Sequence, residues 1–136
     1  MAELLVWNLK WVLLPTAVAG VLHMLVVRGG LLSRLAQPIW LSGFGSNKTW
    51  RGVLVMTTLA AITLWVQALV TKPNVPVHPA LWGAGLGLLY VIAELPNSFI
   101  KRRLGIASGG QSARFPWLSA AADKLDSALL GSMVLA

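Results

Sequence analysis

The ten residues Glu94-Leu95-Pro96-Asn97-Ser98-Phe99-Ile100-Lys101-Arg102-Arg103 bring together a carboxylate, an amide, a hydroxyl and three cations. Such a set is fit to hold a phosphorylated ligand, because Lys and Arg clamp phosphate and neutralise its charge. Asn97 follows Glu94 by three, so on a helix the two share a face, and an amide both donates and accepts. An acid inside an apolar run is by default a functional expectation. Glu94 either completes a metal site or orients a phosphate-binding cation. Pro96 frees a backbone carbonyl one turn earlier, near Ile92. Read alone, Lys101, Arg102 and Arg103 serve equally as a topogenic cluster against anionic lipid.

Two further groups belong with this stretch. Asp123 and Asp126 are three apart, on one helical face, in an apolar segment. Two such carboxylates repel each other and are costly there unless a cation stands beside them. Oxygen ligands of this kind suit Mg²⁺ together with substrate phosphates. Internal salt bridges to Lys124 or neighbouring arginines are the other reading. Lys48, Thr49 and Arg51 have glycines nearby and resemble a phosphate cradle. A P-loop would need glycine at Asn47 and at Ser42, so a P-loop is rejected. His23 reads first as a polar contact between helices and second as a site residue. It lies too far in sequence from His78 for a metal motif.

These residues must be positioned by membrane elements. The chain has 136 residues, of which 57% are hydrophobic and 11% charged. Soluble domains carry about 25% charged residues. A mean hydropathy of +0.73 agrees with a membrane protein. One domain, residues 1–136, is expected. The absence of cysteine excludes disulfides and thiolate chemistry. The net charge of +7 is assigned to loops that flank membrane spans and contact anionic lipid. Nucleic acid is not an expected partner, since no soluble basic-aromatic module carries it. The N-terminus lacks the basic region and cleavage site of a signal peptide.

The expected fold is an all-α integral membrane protein with about four membrane-embedded helices and a short interfacial or re-entrant helix. The spans expected are Leu4 to Val27, Val53 to Val70 and Ala80 to Phe99, with a last apolar stretch from Trp117 to Ala136. About 20 residues are needed to cross. Leu31 to Leu41 is too short and reads as the interfacial helix, with Trp40 at headgroup depth. Thr57, Thr58 and Thr63 are expected to make interhelical contacts. Gly83 and Gly87 form a small-xxx-small face, widened by Gly85, which also leaves a homodimer open. Arg28 to Arg51 carries four cations, Ile100 to Pro116 four, and Thr71 to Pro79 one. The positive-inside rule therefore puts both basic loops in the cytoplasm of a multi-pass cell-membrane protein.

The strings Lys48-Thr49-Trp50-Arg51-Gly52, Ser98-Phe99-Ile100-Lys101-Arg102-Arg103-Leu104-Gly105-Ile106 and Asp123-Lys124-Leu125-Asp126 resemble the motifs of the CDP-archaeol synthase family. That family is the archaeal branch of the CTP-dependent phosphatidate cytidylyltransferase superfamily. Order and approximate spacing agree from about Pro15 onward. The resemblance implies transfer of CMP from CTP to a lipid phosphate, isoprenoid or diacyl, with Mg²⁺ as cofactor and pyrophosphate released. It implies nucleotide binding by Lys48, Thr49, Arg51, Ser98, Lys101, Arg102 and Arg103, and Asn97 is expected to join them from its place on the Glu94 face. It implies a metal site of Glu94, Asp123 and Asp126, with Asp123, Asp126 and Lys101 carrying the catalysis. The family pattern has a Gly-Asp pair where this chain has Ala93-Glu94, and it continues through a further helix. A membrane protein that binds a nucleotide or anionic phospholipid without turnover is the alternative expectation. Transport fits least, because the polar residues gather at one side.

Overall fold

The computed structural model describes residues 2–72 and 77–108. Among these the chain is helical, with one isolated antiparallel bridge between Pro38 and Thr49. Three helices are long and apolar enough to cross a membrane: α1 (Ala2–Arg28), α3 (Trp50–Thr71) and α4 (Pro79–Arg103). A single turn, α2 (Leu41–Phe44), lies in the first connection. The stretch 117–136, where a fourth membrane helix is expected, lies outside the described residues, as do Asp123 and Asp126.

Each long helix takes its ends from its own residues. α1 is interrupted by a π-turn over Leu9–Leu13, closed by the Leu14 N–H bonding to the Leu9 carbonyl. In that register the next donor would be residue 15, and proline has no N–H to give. The Lys10 carbonyl so released accepts instead from Gln67 Nε2 of α3 at 2.8 Å. α3 is capped by Thr49, whose Oγ1 accepts from the Gly52 N–H at 3.2 Å. It stops at Lys72, which is left-handed at φ 44°. α4 opens on Pro79 behind His78, whose Nδ1 accepts from the Ala80 N–H at 3.3 Å. It continues through Pro96 and ends on Lys101, Arg102 and Arg103. Cations in a last turn are favoured by the negative end of the helix dipole.

α3 and α4 form the central pair, and glycine sets how closely they approach. A Cβ at Gly83 would overlap the Ala60 carbonyl and stand 2.8 Å from the Ala61 Cα. One at Gly87 would lie 2.9 Å from both the Ala60 Cβ and the Thr57 Cα. The expected small-residue face is thus the α3 contact. Gly85 is different: it is exposed and has nothing within 4 Å of its Cβ position, so it does not widen that face. Its offset of two residues turns it to the opposite side of the helix.

α1 packs on α3 at two levels. Ala19 meets Met56 and Ala60, with Tyr90 and Val91 alongside. Trp11 meets Leu64 and Ala68. The outer faces stay apolar and open, with Val21 64%, Leu81 67% and Val70 80% exposed. Such a surface is unfavourable in water and fits a bilayer. Of the threonines, Thr63 bonds back to the Leu59 carbonyl at 2.7 Å, and Thr58 is exposed. Thr57 is the one at the expected interhelical contact, its Cα facing Gly87 of α4.

Two expectations about the connections are corrected. No continuous helix covers Leu31 to Leu41. A 3₁₀ turn at Ser33–Leu35 is preceded by Leu32 in the left-handed region at φ 54°. Pro38 then holds the chain extended for the bridge to Thr49. The second basic loop does not begin at Ile100, because α4 runs on to Arg103. Pro96 lies inside the helix, as membrane helices tolerate.

Candidate functional site

The site lies at the end of the bundle where α1 finishes, α3 begins and α4 finishes. The connection from α1 to α3 folds back on itself there. The Ile39 N–H bonds to the Lys48 carbonyl at 2.9 Å, and the Trp50 N–H to the Gln37 carbonyl at 3.1 Å. Arg51 Nη1 donates to the Leu31 carbonyl at 3.2 Å, tying the start of the loop to the first turn of α3. Lys48, half-buried, is thereby held at the base of the loop.

Gly45 joins this loop to the end of α4. Its backbone sits at φ 85°, ψ −179°, a region essentially reserved for glycine. A Cβ there would overlap Ser108 Oγ and stand 3.2 Å from Arg102 Nε. The adjacent Ser46 N–H donates to Ser108 Oγ at 3.1 Å. Trp40, Phe44 and Phe99 close the other side, with ring centroids 5.5 to 6.4 Å apart. The Arg103 guanidinium lies 5.0 Å over the Phe99 ring.

The result is a salt bridge between the two motif segments: Lys48 Nζ on the Glu94 carboxylate. Its side chains are only 22% and 28% exposed. Asn97, one turn on from Glu94, is buried at 8% exposure. Ser98 Oγ donates back to the Glu94 carbonyl at 3.0 Å, and Lys101 is half-buried, its carbonyl accepting from the Ile106 N–H at 3.0 Å. Of the expected nucleotide-binding residues, Lys48, Arg51 and Arg102 therefore flank one loop. Thr49 serves as a helix cap, and Arg103 is drawn onto Phe99.

Beside the salt bridge, a cavity of about 560 Å³ opens between α1, α3 and α4. That is within the usual size of small-molecule sites. One end is polar, formed by His23, Asn47, Lys48, Thr49 and Glu94. The rest is apolar, with α1 contributing Val12, Thr16 and Gly20, four apart on one face, and α3 contributing Val53 and Met56. A cavity of this kind accommodates a ligand with an anionic head and an apolar body.

Among the described residues no group of three His, Cys, Asp or Glu side chains could hold a metal ion. Glu94 lies in the described part, where its charge is balanced by Lys48; the other two expected ligands, Asp123 and Asp126, lie outside it.

Sequence reasoning ranked His23 as a structural contact and overlooked Gly45, Ser108 and the three-ring cluster. His23 lines the cavity, and its Nε2 has no hydrogen-bond partner. The pattern Trp40-x-x-Gly43-Phe44-Gly45 was a usable signal for a tight aromatic turn. Ser108 carried none. Set against known proteins, the chain matches no family model, no curated protein and no solved structure.

Proposed function

We propose that this chain is a membrane cytidylyltransferase that transfers CMP from CTP to a lipid phosphate. A phosphate oxygen of the lipid attacks the α-phosphorus of CTP, the bond to the β-phosphate breaks, and pyrophosphate leaves. The reading is carried by one observation: Lys48 and Glu94, from two motifs 46 residues apart in sequence, pair at the polar end of an otherwise apolar cavity. The reaction brings anions together, so the protein's task is positioning and charge neutralisation. Lys48 supplies a cation at that end, and Arg51, Lys101 and Arg102 supply others at the same end of the bundle. The apolar wall between α1 and α3 suits the lipid's hydrocarbon.

In this proposal Glu94, Asp123 and Asp126 would hold Mg²⁺, which would supply charge neutralisation for the polyphosphate. The stretch 117–136 forms a fourth membrane-embedded helix, the protein resides in the cell membrane, and both basic segments face the cytoplasm. A homodimer is compatible with the exposed helix faces. The second reading, a protein that binds an anionic phospholipid or nucleotide without turnover, is favoured by Lys48 being already neutralised.

Purified protein with Mg²⁺ and labelled CTP, given a panel of isoprenoid and diacyl lipid phosphates, is expected to form a CDP-lipid and pyrophosphate. No product across the panel refutes the enzyme. Retained ligand binding in that case leaves the second reading.

A further inference from the structure

Gly52 lacks a side chain at the first turn of α3, and the space it leaves is bordered by two polar atoms. A Cβ there would stand 3.6 Å from Thr49 Oγ1 and 3.7 Å from His23 Nε2. Both are ordinary contacts, so there is room about the size of a methyl group beside both atoms. His23 Nε2 is shielded from water and has no hydrogen-bond partner. Most buried polar atoms in a folded protein have such a partner, and among the atoms here that lack one, His23 Nε2 belongs to a residue that lines the cavity. Thr49 Oγ1 accepts from the Gly52 N–H, which leaves its own hydroxyl proton to donate. The Lys48 ammonium belongs to the same end of the cavity.

Three features select the ligand. With its proton on Nε2, His23 is a donor like the Thr49 hydroxyl and the Lys48 ammonium, and the complement to all three is an acceptor-only, anionic oxygen. His23 lies five residues before the end of α1, about 7–8 Å below it at the rise of an α-helix. From His23 the cavity wall continues along α1 through Gly20, Thr16 and Val12, which form a largely apolar face.

We propose that His23 and Thr49 bind a phosphoryl oxygen of the lipid phosphate in the opening beside Gly52. The identity of that lipid as the acceptor rests on the cytidylyltransferase reading; the phosphate site does not. The triphosphate of a nucleotide offers the same oxygen chemistry, but it has no apolar chain to follow the α1 wall.

The test uses the full chain in detergent micelles, with dioleoyl phosphatidate against dioleoylglycerol as probes and no CTP, read by native mass spectrometry. The unaltered protein prefers phosphatidate. His23→Leu is expected to lose about tenfold or more in phosphatidate affinity, the effect of one hydrogen bond to a charged group, with dioleoylglycerol unchanged. His23→Gln keeps an N–H at similar reach and is expected to stay within about threefold. Gly52→Ala fills the opening without a clash and is expected to lose phosphatidate as His23→Leu does. Its thermal midpoint should match or exceed the parent's, because alanine favours the helix.

In turnover, His23→Leu is expected to raise the KM for lipid phosphate and leave that for CTP. Unchanged phosphatidate preference in both His23→Leu and Gly52→Ala overturns the proposal. So does a KM rise confined to CTP, which would assign the opening to the nucleotide. If the protein makes no CDP-lipid yet His23→Leu still abolishes the phosphatidate preference, the phosphate site stands and the cytidylyltransferase reading falls.

Discussion

The Lys48–Glu94 salt bridge can be taken apart one charge at a time. Two unit charges about 4 Å apart attract by about 4 kcal/mol at an effective dielectric of about 20. Against this stands the desolvation of both ions, several kcal/mol each when burial is complete. Here the side chains are 22% and 28% exposed, so desolvation is partial. An exposed pair is worth about 0–1 kcal/mol, and stripping one partner from a fully buried pair costs about 3–5 kcal/mol. Lys48→Met and Glu94→Gln should fall between these limits, at about 2 kcal/mol each. The double variant leaves no lone charge, so the coupling in a double-mutant cycle should be about 1–2 kcal/mol. Equilibrium unfolding in mixed micelles, titrated with a denaturing detergent, measures all four proteins.

Ligand binding gives an independent sign. Glu94→Gln releases the ammonium of Lys48, so phosphatidate binding in the absence of divalent ions should tighten although the protein is less stable. Lys48→Met should weaken that binding. Additive single variants, with coupling within about 0.5 kcal/mol of zero, would show that the two side chains do not hold each other. Weaker phosphatidate binding by Glu94→Gln would show that Glu94 does not hold Lys48 back from phosphate.

Gly83→Ala and Gly85→Ala should differ in sign although they lie two residues apart. The first drives a methyl into the Ala60 carbonyl and should cost about 1–3 kcal/mol, while the second meets open space and should gain up to about 1 kcal/mol of helix preference, both read by the same unfolding titration. Gly45→Ala forces a side chain into a glycine-only conformation against Ser108 and Arg102. It should lower anionic-ligand affinity and loosen hydrogen-exchange protection of the Ser46 amide, while the Gln67 contact at the far end stays protected. Asp126→Asn should abolish CDP-lipid formation, and undiminished turnover would remove Asp126 from the proposed metal site.

The three spans were readable because their signal is collective. Some twenty apolar residues in a row mean a membrane helix whatever their order, and the ends at Thr49 and Pro79 carry ordinary cap chemistry. The small-residue face was readable at Gly83 and Gly87, where spacing alone puts both on one side. It failed at Gly85, because membership of a glycine run says nothing about which way a residue faces. The first connection was misread for a related reason. Leu31 to Leu41 has helix-like apolar content, but one left-handed leucine and Pro38 divide it, and the bridge to Thr49 is a long-range choice no local window contains. The pairing of Lys48 with Glu94 was likewise invisible. Glu94 reads in the sequence as a metal ligand or as the group that orients a phosphate-binding cation, and that this cation is Lys48 depends on how α3 and α4 meet. His23 was demoted because a lone membrane histidine is usually a packing contact. Only the empty space at Gly52 distinguishes this one.

The π-turn in α1 sets a phase as well as a kink. It inserts extra rotation at Leu9–Leu13, so the two helical turns before it are out of register with the turns after it. Each residue of an α-helix advances by about 100°. A one-residue deletion within 9–13 would therefore regularise the helix while swinging Trp11 off the α3 surface and orphaning Gln67. An indel there, unlike one in the lipid-facing turns, changes what the first membrane segment presents to its neighbour without changing how hydrophobic it is. The length of α1 up to Pro15 is thus itself a specified quantity, counted in single residues.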